Sequence, residues 1–228
     1  MEQIEKSGKV SRGYMGVSLQ PITQDMAPQF GLKEAKGAIV GDVTAEAPGA
    51  KAGLKSGDVI TAIDGKKVDG PDDLTMEVIS HTPGSTVSLD VIRDNKAMKV
   101  SVTLGQRPGG VDWDKPGHQN NNDNDNDNNS GSGASSARGI SVENLTPDLA
   151  EQIGVPASTH GVVINDVDQS SPAADANLGR GVVITAVDRH PVANVQDFKR
   201  LMNAAQGKPV LLTINAGGAT AFTVVQPK

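Results

Sequence analysis

Arg12-Gly13-Tyr14-Met15-Gly16-Val17 runs on into Thr23-Gln24-Asp25-Met26-Ala27-Pro28-Gln29-Phe30-Gly31-Leu32. The same pattern returns as Ala137-Arg138-Gly139-Ile140 followed by Thr146-Pro147-Asp148-Leu149-Ala150-Glu151-Gln152-Ile153-Gly154-Val155. The correspondence continues. Gly161-Val162-Val163-Ile164 answers Gly37-Ala38-Ile39-Val40, and Pro172 to Leu178 answers Pro48 to Leu54. Val183 to Asp188 answers Val59 to Asp64. An internal repeat decides architecture before any single element does, and this one specifies two copies of one small module.

The boundaries follow from composition. Residues 1–11 read as the end of a helix, with Ile4 its one apolar anchor and Ser7-Gly8 its stop. The first module takes 12–107 and the second 137–228. Between them, 108–136 is a linker: Asn120 to Asn129 holds seven Asn and three Asp, and a Ser/Gly tract follows. Such a segment cannot bury a core and is expected to be disordered and extended. Of the net charge of −6, half comes from Asp123, Asp125 and Asp127. Residues 1–117 carry 14 basic and 16 acidic side chains, and 138–228 carry 7 and 8, so neither module has the basic stripe that nucleic acid requires.

Aromatic residues make up 2% of the chain, so the cores are aliphatic. Cysteine is absent, which excludes disulfides, thiolate catalysis and cysteine-based zinc sites. No apolar run is long enough for a membrane span, so none is expected. The start at Met1 lacks the apolar heart of a signal peptide.

Within the first module, Ala38 to Val40 and Val59 to Ile63 are strand runs. Val87 to Ile92 and Met98 to Leu104 alternate at period two. Asp64-Gly65 and Asp94-Asn95 mark tight turns. Two short helices fit between, one opened by Pro48 and closed by Gly53, the other running from Pro71 and ending before Pro83-Gly84. Leu74 and Val78 share a face of the second helix, with Ile79 beside them. Gln196 to Met202 repeats that helix. The fold class is mainly β with short helices (α+β), each module a small, partly open β-barrel or sandwich capped by two helices.

A glycine between apolar residues at the head of an edge strand suits capture of an extended chain end. Gly16 lets successive N–H groups converge on a carboxylate, and Val17-Ser18-Leu19 offers its margin for an added strand. Met15, Val17 and Leu19 are expected on one wall of a pocket, Leu74 and Val78 on the other, with Thr75 on the same helix. Arg12 adds long-range attraction. Alone, the glycine pattern equally describes a loop turn with core neighbours; the remaining elements lend it specificity.

Those elements resemble a known family. Tyr14-Met15-Gly16-Val17 is similar to the carboxylate-binding loop of PDZ domains. Ala47 to Ile60 followed by Asp64-Gly65-Lys66-Lys67-Val68 resembles the signature of their bacterial, circularly permuted form. Ile4 to Gly13 is similar to the hinge that joins the protease domain of HtrA (DegP/DegQ-type) serine proteases to their first PDZ domain. The resemblance implies a periplasmic, envelope-located protease whose PDZ domains capture hydrophobic C-terminal or extended peptides of unfolded proteins. It also implies partners in the protease domain and in other PDZ domains of the same oligomer. The second module departs from the pattern. Arg138 stands where Met15 does, Asn177 for Gly53, Val182 for Asp58 and Arg189 for Gly65. Arg138, Gly139, Ile140, Ser141, Val142, Phe198 and Met202 are therefore read as a weak second site, in a module serving assembly.

No catalytic residue, metal site or cofactor is expected. His81, His118, His160 and His190 are scattered, and no nucleophile elbow or Gly-Asp-Ser-Gly-Gly-type loop occurs. Ser132 falls in the linker, and Trp113 reads as a linker side chain packing on its own domain. Three functions stand: a peptide-binding regulatory region of an endoprotease, an assembly spacer, and a hydrolase in its own right.

Overall fold

The computed structural model describes residues 12–106, 135–156, 158–205 and 207–227. The hinge, the Asn/Asp tract, Trp113 and His118 lie outside them. In the first module the strands are β1 (Gly13–Tyr14), β2 (Val17–Pro21), β3 (Ala38–Val43), β4 (Val59–Ile63), β5 (Lys66–Lys67), β6 (Thr86–Arg93), β7 (Lys96–Thr103) and β8 (Gly105–Gln106). Its helices are α1 (Pro48–Lys51) and α2 (Pro71–Ser80), both with proline in the first turn, where the missing N–H costs nothing. The second module holds β9 (Ser135–Ala137), which begins two residues inside the expected linker, then β10 (Ile140–Asn144), β11 (Val162–Val167), β12 (Val183–Val187), β13 (His190–Pro191), β14 (Val210–Ala216) and β15 (Ala219–Val225). Its helices are α3 (Pro147–Gln152), α4 (Pro172–Asp175) and α5 (Val195–Ala204).

Both modules are mostly β with few short helices, and their sheets are open. The first runs β2-β3-β4-β6-β7 with β5 on β4, while β1 pairs separately with β8. The second runs β15-β14-β12-β11-β10-β9 with β13 on β12. Tight turns at Asp64-Gly65 (φ 49° and 79°), Asp94-Asn95 (49° and 62°) and Asp188-Arg189 (48° and 65°) pin the register of three hairpins.

Period-two geometry sends alternate side chains to opposite faces. From β3, Ala38 and Val40 enter the core of the first module with Ile60, Ile63, Leu74, Val78 and Leu89. Ile39 and Val59 face the other way, into a separate apolar cluster with Ile22, Met26 and Phe30. Leu211, Phe222 and Val224 of the second module complete that cluster. Val210, Leu212 and Val225 meanwhile fill the second core around Phe198.

The modules are thus joined by a shared apolar layer. Phe30 and Phe222 meet edge to face at 5.9 Å between ring centroids. The Arg189 guanidinium lies 5.1 Å from the Phe30 centroid and bonds Asp94 Oδ1 at 3.1 Å. Arg189, the residue in place of the turn glycine, holds its positive φ and reaches across to the first module. Gln20 Nε2 donates to Phe222 O at 2.6 Å, and its Oε1 accepts from Phe222 N at 2.9 Å.

Close approach explains Gly41. A β-carbon there would sit 2.7 Å from the Thr220 carbonyl oxygen. Gly41→Val is expected to separate the modules while each keeps its own amide dispersion in an NMR spectrum. Retention of Phe30–Phe222 cross-peaks in that variant would refute this role for the glycine.

Candidate functional site

β2 lies at the margin of its sheet, paired with β3 on one side only. Helix α2 lies against β1 and β2, so an open strand margin and a helix face each other across a groove. The loop at the head of β2 is fixed from inside. Gly49 N donates to Met15 O at 2.8 Å, and Thr44 N donates to Gly16 O at 2.9 Å. With both carbonyls turned inward, the Met15 and Gly16 N–H groups find no acceptor among the described residues. Gly16 has φ 73°, and a β-carbon on it would lie 2.2 Å from that of Ala47, so no side chain fits. Adjacent N–H groups left free at a left-handed glycine form the concavity that accepts an anion.

The candidate residues divide by depth. Met15, Leu74 and Val78 are buried in the core of the first module and form a floor, not exposed walls. Val17 and Leu19 are half-buried against that core and open to the groove. Ser18 turns to the opposite sheet face, where its Oγ accepts from Asp42 N at 2.7 Å, so only its backbone faces an added strand. Thr75 is exposed, and its hydroxyl donates to Pro71 O at 2.8 Å. Tyr14 is half-buried with its ring over Gly16, and Arg12 is exposed. Ile79, expected beside Leu74 and Val78, is 37% exposed and turns away from the core they enter.

The second module is built differently at the equivalent place. Arg138 (φ 54°) and Gly139 (φ 81°) form the centre of a two-residue hairpin, and β9 folds back antiparallel on β10. Ile140 and Val142 are fully buried core residues, as are Phe198 and Met202, while Ser141 is half-buried. The Arg138 guanidinium donates to three carbonyls: Val225 O at 3.0 Å, Ala205 O at 2.6 Å and Lys208 O at 2.7 Å. Burial holds its pKa below the ordinary arginine range, with Asp188 pulling the other way.

A second device escaped the sequence reading. Asp58, 1% exposed, receives Arg93 Nε and Nη2 at 2.6 Å each and Lys55 N at 2.9 Å. Arg93 Nη2 also donates to Gly53 O at 2.8 Å. The hydrogen bonds to Asp58 raise the Arg93 pKa above its usual value against the cost of burial. This pair pins α1 and its following loop beneath the sheet; the second module has Val182 and Ala216 at the two positions.

Among the described residues, no group of three or more His, Asp or Glu side chains is arranged to hold a metal ion, and no helix is long and apolar enough to cross a membrane. The family model of the PDZ domain matches residues 13–104 and 137–224. A probable periplasmic serine endoprotease DegP-like of Brucella suis is 38% identical over 99% of this chain and 41% of its own length. One from Chlamydia trachomatis is 32% identical over 99% of this chain and 42% of its own length. The chain therefore spans about two-fifths of the length of these curated relatives. Among solved structures, an HtrA-type protease, AlgW with decapeptide, is 31% identical over 48% of this chain and 34% of that chain, with a TM-score of 0.43.

Proposed function

The chain belongs to the PDZ-domain family and is homologous along nearly its whole length to DegP-like periplasmic serine endoproteases, and on that premise we propose that its first module captures the C-terminal ends of unfolded proteins. The observation that carries this is the pair of free N–H groups at Met15 and Gly16, set at the head of an unpaired strand margin. A guest chain adds to β2 as an antiparallel strand, its backbone supplying affinity. Its terminal carboxylate enters the amide concavity, and its last side chain meets Val17 and Leu19 above the floor of Met15, Leu74 and Val78. Arg12, in solvent beside the loop, adds a long-range pull on the carboxylate.

In this reading the chain is the regulatory part of an envelope protease. Guests are misfolded envelope proteins, the setting is the periplasm, and captured tails are delivered to a serine protease domain that binding activates. Hydrolysis belongs to that domain and not to the residues described here.

A peptide ending in valine is expected to bind the first module with micromolar affinity, about −8 kcal/mol. Its C-terminal amide is expected to bind at least about tenfold more weakly, a loss of roughly 1.4 kcal/mol. Calorimetric titration of both peptides decides it, and equal affinities would remove the carboxylate mechanism.

A second reading, an assembly brace, is favoured for the second module by one observation: its outer strand β15 buries Phe222 and Val224 against the first module.

A further inference from the structure

In the first module the chain approaches its loop as β1, whose Gly13 N donates to His81 O at the end of α2 at 3.1 Å. The equivalent carbonyl at the end of α5, Ala205 O, is instead taken by the Arg138 side chain. A guanidinium thus does the work that backbone does in the other copy, and the approaching segment is released from the helix end. It swings through the Arg138-Gly139 turn and lies along β10, with Ala137 opposite Ile140, Ser136 opposite Ser141 and Ser135 opposite Val142. There it touches α5 as well. This is the lane that stands open beside β2 in the first module.

The far end of the lane is closed by an independent contact. Asn144 Oδ1 accepts from Val195 N at 2.8 Å, bridging the end of β10 to the first residue of α5. The first module has Pro21 at that position, whose side chain has no polar atom.

We infer that the groove of the second module is a strand-acceptor site held shut by residues 135–137 of this same chain. It takes a passing extended segment, read by backbone, and not a chain terminus, because Ala137 already pairs with Ile140 beside the loop where a carboxylate would sit, and the Arg138 side chain is spent on three carbonyls. Other extended chains enter only by displacing this strand. The closed groove is a property of the second module's backbone and stands apart from the capture assigned to the first.

Ala137→Pro tests it. In a two-residue hairpin the pair next to the turn exchanges both backbone hydrogen bonds, and proline removes one donor. In the unaltered chain, hydrogen exchange is expected to show the Ile140 and Val142 amides protected to the level of β11. In Ala137→Pro their exchange is expected to rise at least tenfold while β14 and β15 keep their protection, which also establishes that the variant folds. Fast exchange at both amides in the unaltered chain would overturn the closure.

An acetylated and amidated Ser-Ser-Ala-Val-Ala peptide at millimolar concentration then probes the acceptor. Shifts at 140–144 are expected in Ala137→Pro and not in the unaltered chain. Equal shifts in both overturn the closure, and none in the opened variant overturns the acceptor. A valine-ended acid peptide that moves no resonance of 14–19, with Ile140 and Val142 still protected, would sink the first-module reading alone.

Discussion

Asp58→Ala is expected to lower the unfolding free energy by about 3 kcal/mol, and Asp58→Val combined with Arg93→Ala to recover most of that loss. The single change removes the acceptor of two guanidinium hydrogen bonds and of the Lys55 amide, leaving Arg93 charged beneath the sheet. Breaking a buried pair costs about 3–5 kcal/mol because a charge is stranded; the lower end applies because the Arg93 side chain remains 24% exposed. Removing both partners strands no charge, only the Lys55 N–H and the Gly53 carbonyl that the pair had engaged. The second copy in this chain has made that double replacement, with Val182 and Ala216. Urea midpoints of Asp58→Val, Arg93→Ala and the double variant form the cycle, and a double variant no more stable than Asp58→Val alone would refute the coupling.

Phe222→Ala is expected to part the two modules while sparing the core of each. Phe222 is 6% exposed, yet its side chain lies in the layer between modules and not in the second core around Phe198. Truncating a buried phenylalanine costs about 3–5 kcal/mol, and the edge-to-face contact with Phe30 contributes about 1 kcal/mol of that. The expected readout is ¹⁵N relaxation: one tumbling time for the unaltered chain, two shorter ones for the variant. Affinity for the valine-ended peptide is expected to stay within about twofold, since RT ln 2 is only ~0.4 kcal/mol and the groove lies on the other face of the first sheet. A single unchanged tumbling time would mean the modules are held elsewhere.

Much of each module was legible because its signals are local. Asp64-Gly65 and Asp94-Asn95 turn where such dipeptides must, Pro48 and Pro71 open helices, and Gly16 takes the left-handed conformation its pattern demanded. Asn177 replaces Gly53 and keeps φ 55°. The contact between modules was harder to see. Its signal was present: Ala38-Ile39-Val40 and Val59-Ile60 are unbroken apolar runs, the mark of strands covered on both faces. Periodicity cannot say what covers them, and here part of the cover comes from residues near 222. In the sequence Arg138 and Arg189 are only departures from the pattern of the first module. A guanidinium on a long stem chooses acceptors by three-dimensional proximity, so neither the carbonyls at Ala205, Lys208 and Val225 nor the ring of Phe30 could be inferred from spacing.

Gln20 has a bearing on solubility. Its carboxamide matches the N–H and C=O of Phe222 as a neighbouring strand would, on the outer margin of β15. A bare margin of that kind is a template on which identical molecules stack into fibres. One neutral amide side chain, offering a donor and an acceptor together, blunts that nucleation point. Glutamate, with two acceptor oxygens and no donor, would repel the Phe222 carbonyl and leave the margin exposed to aggregation.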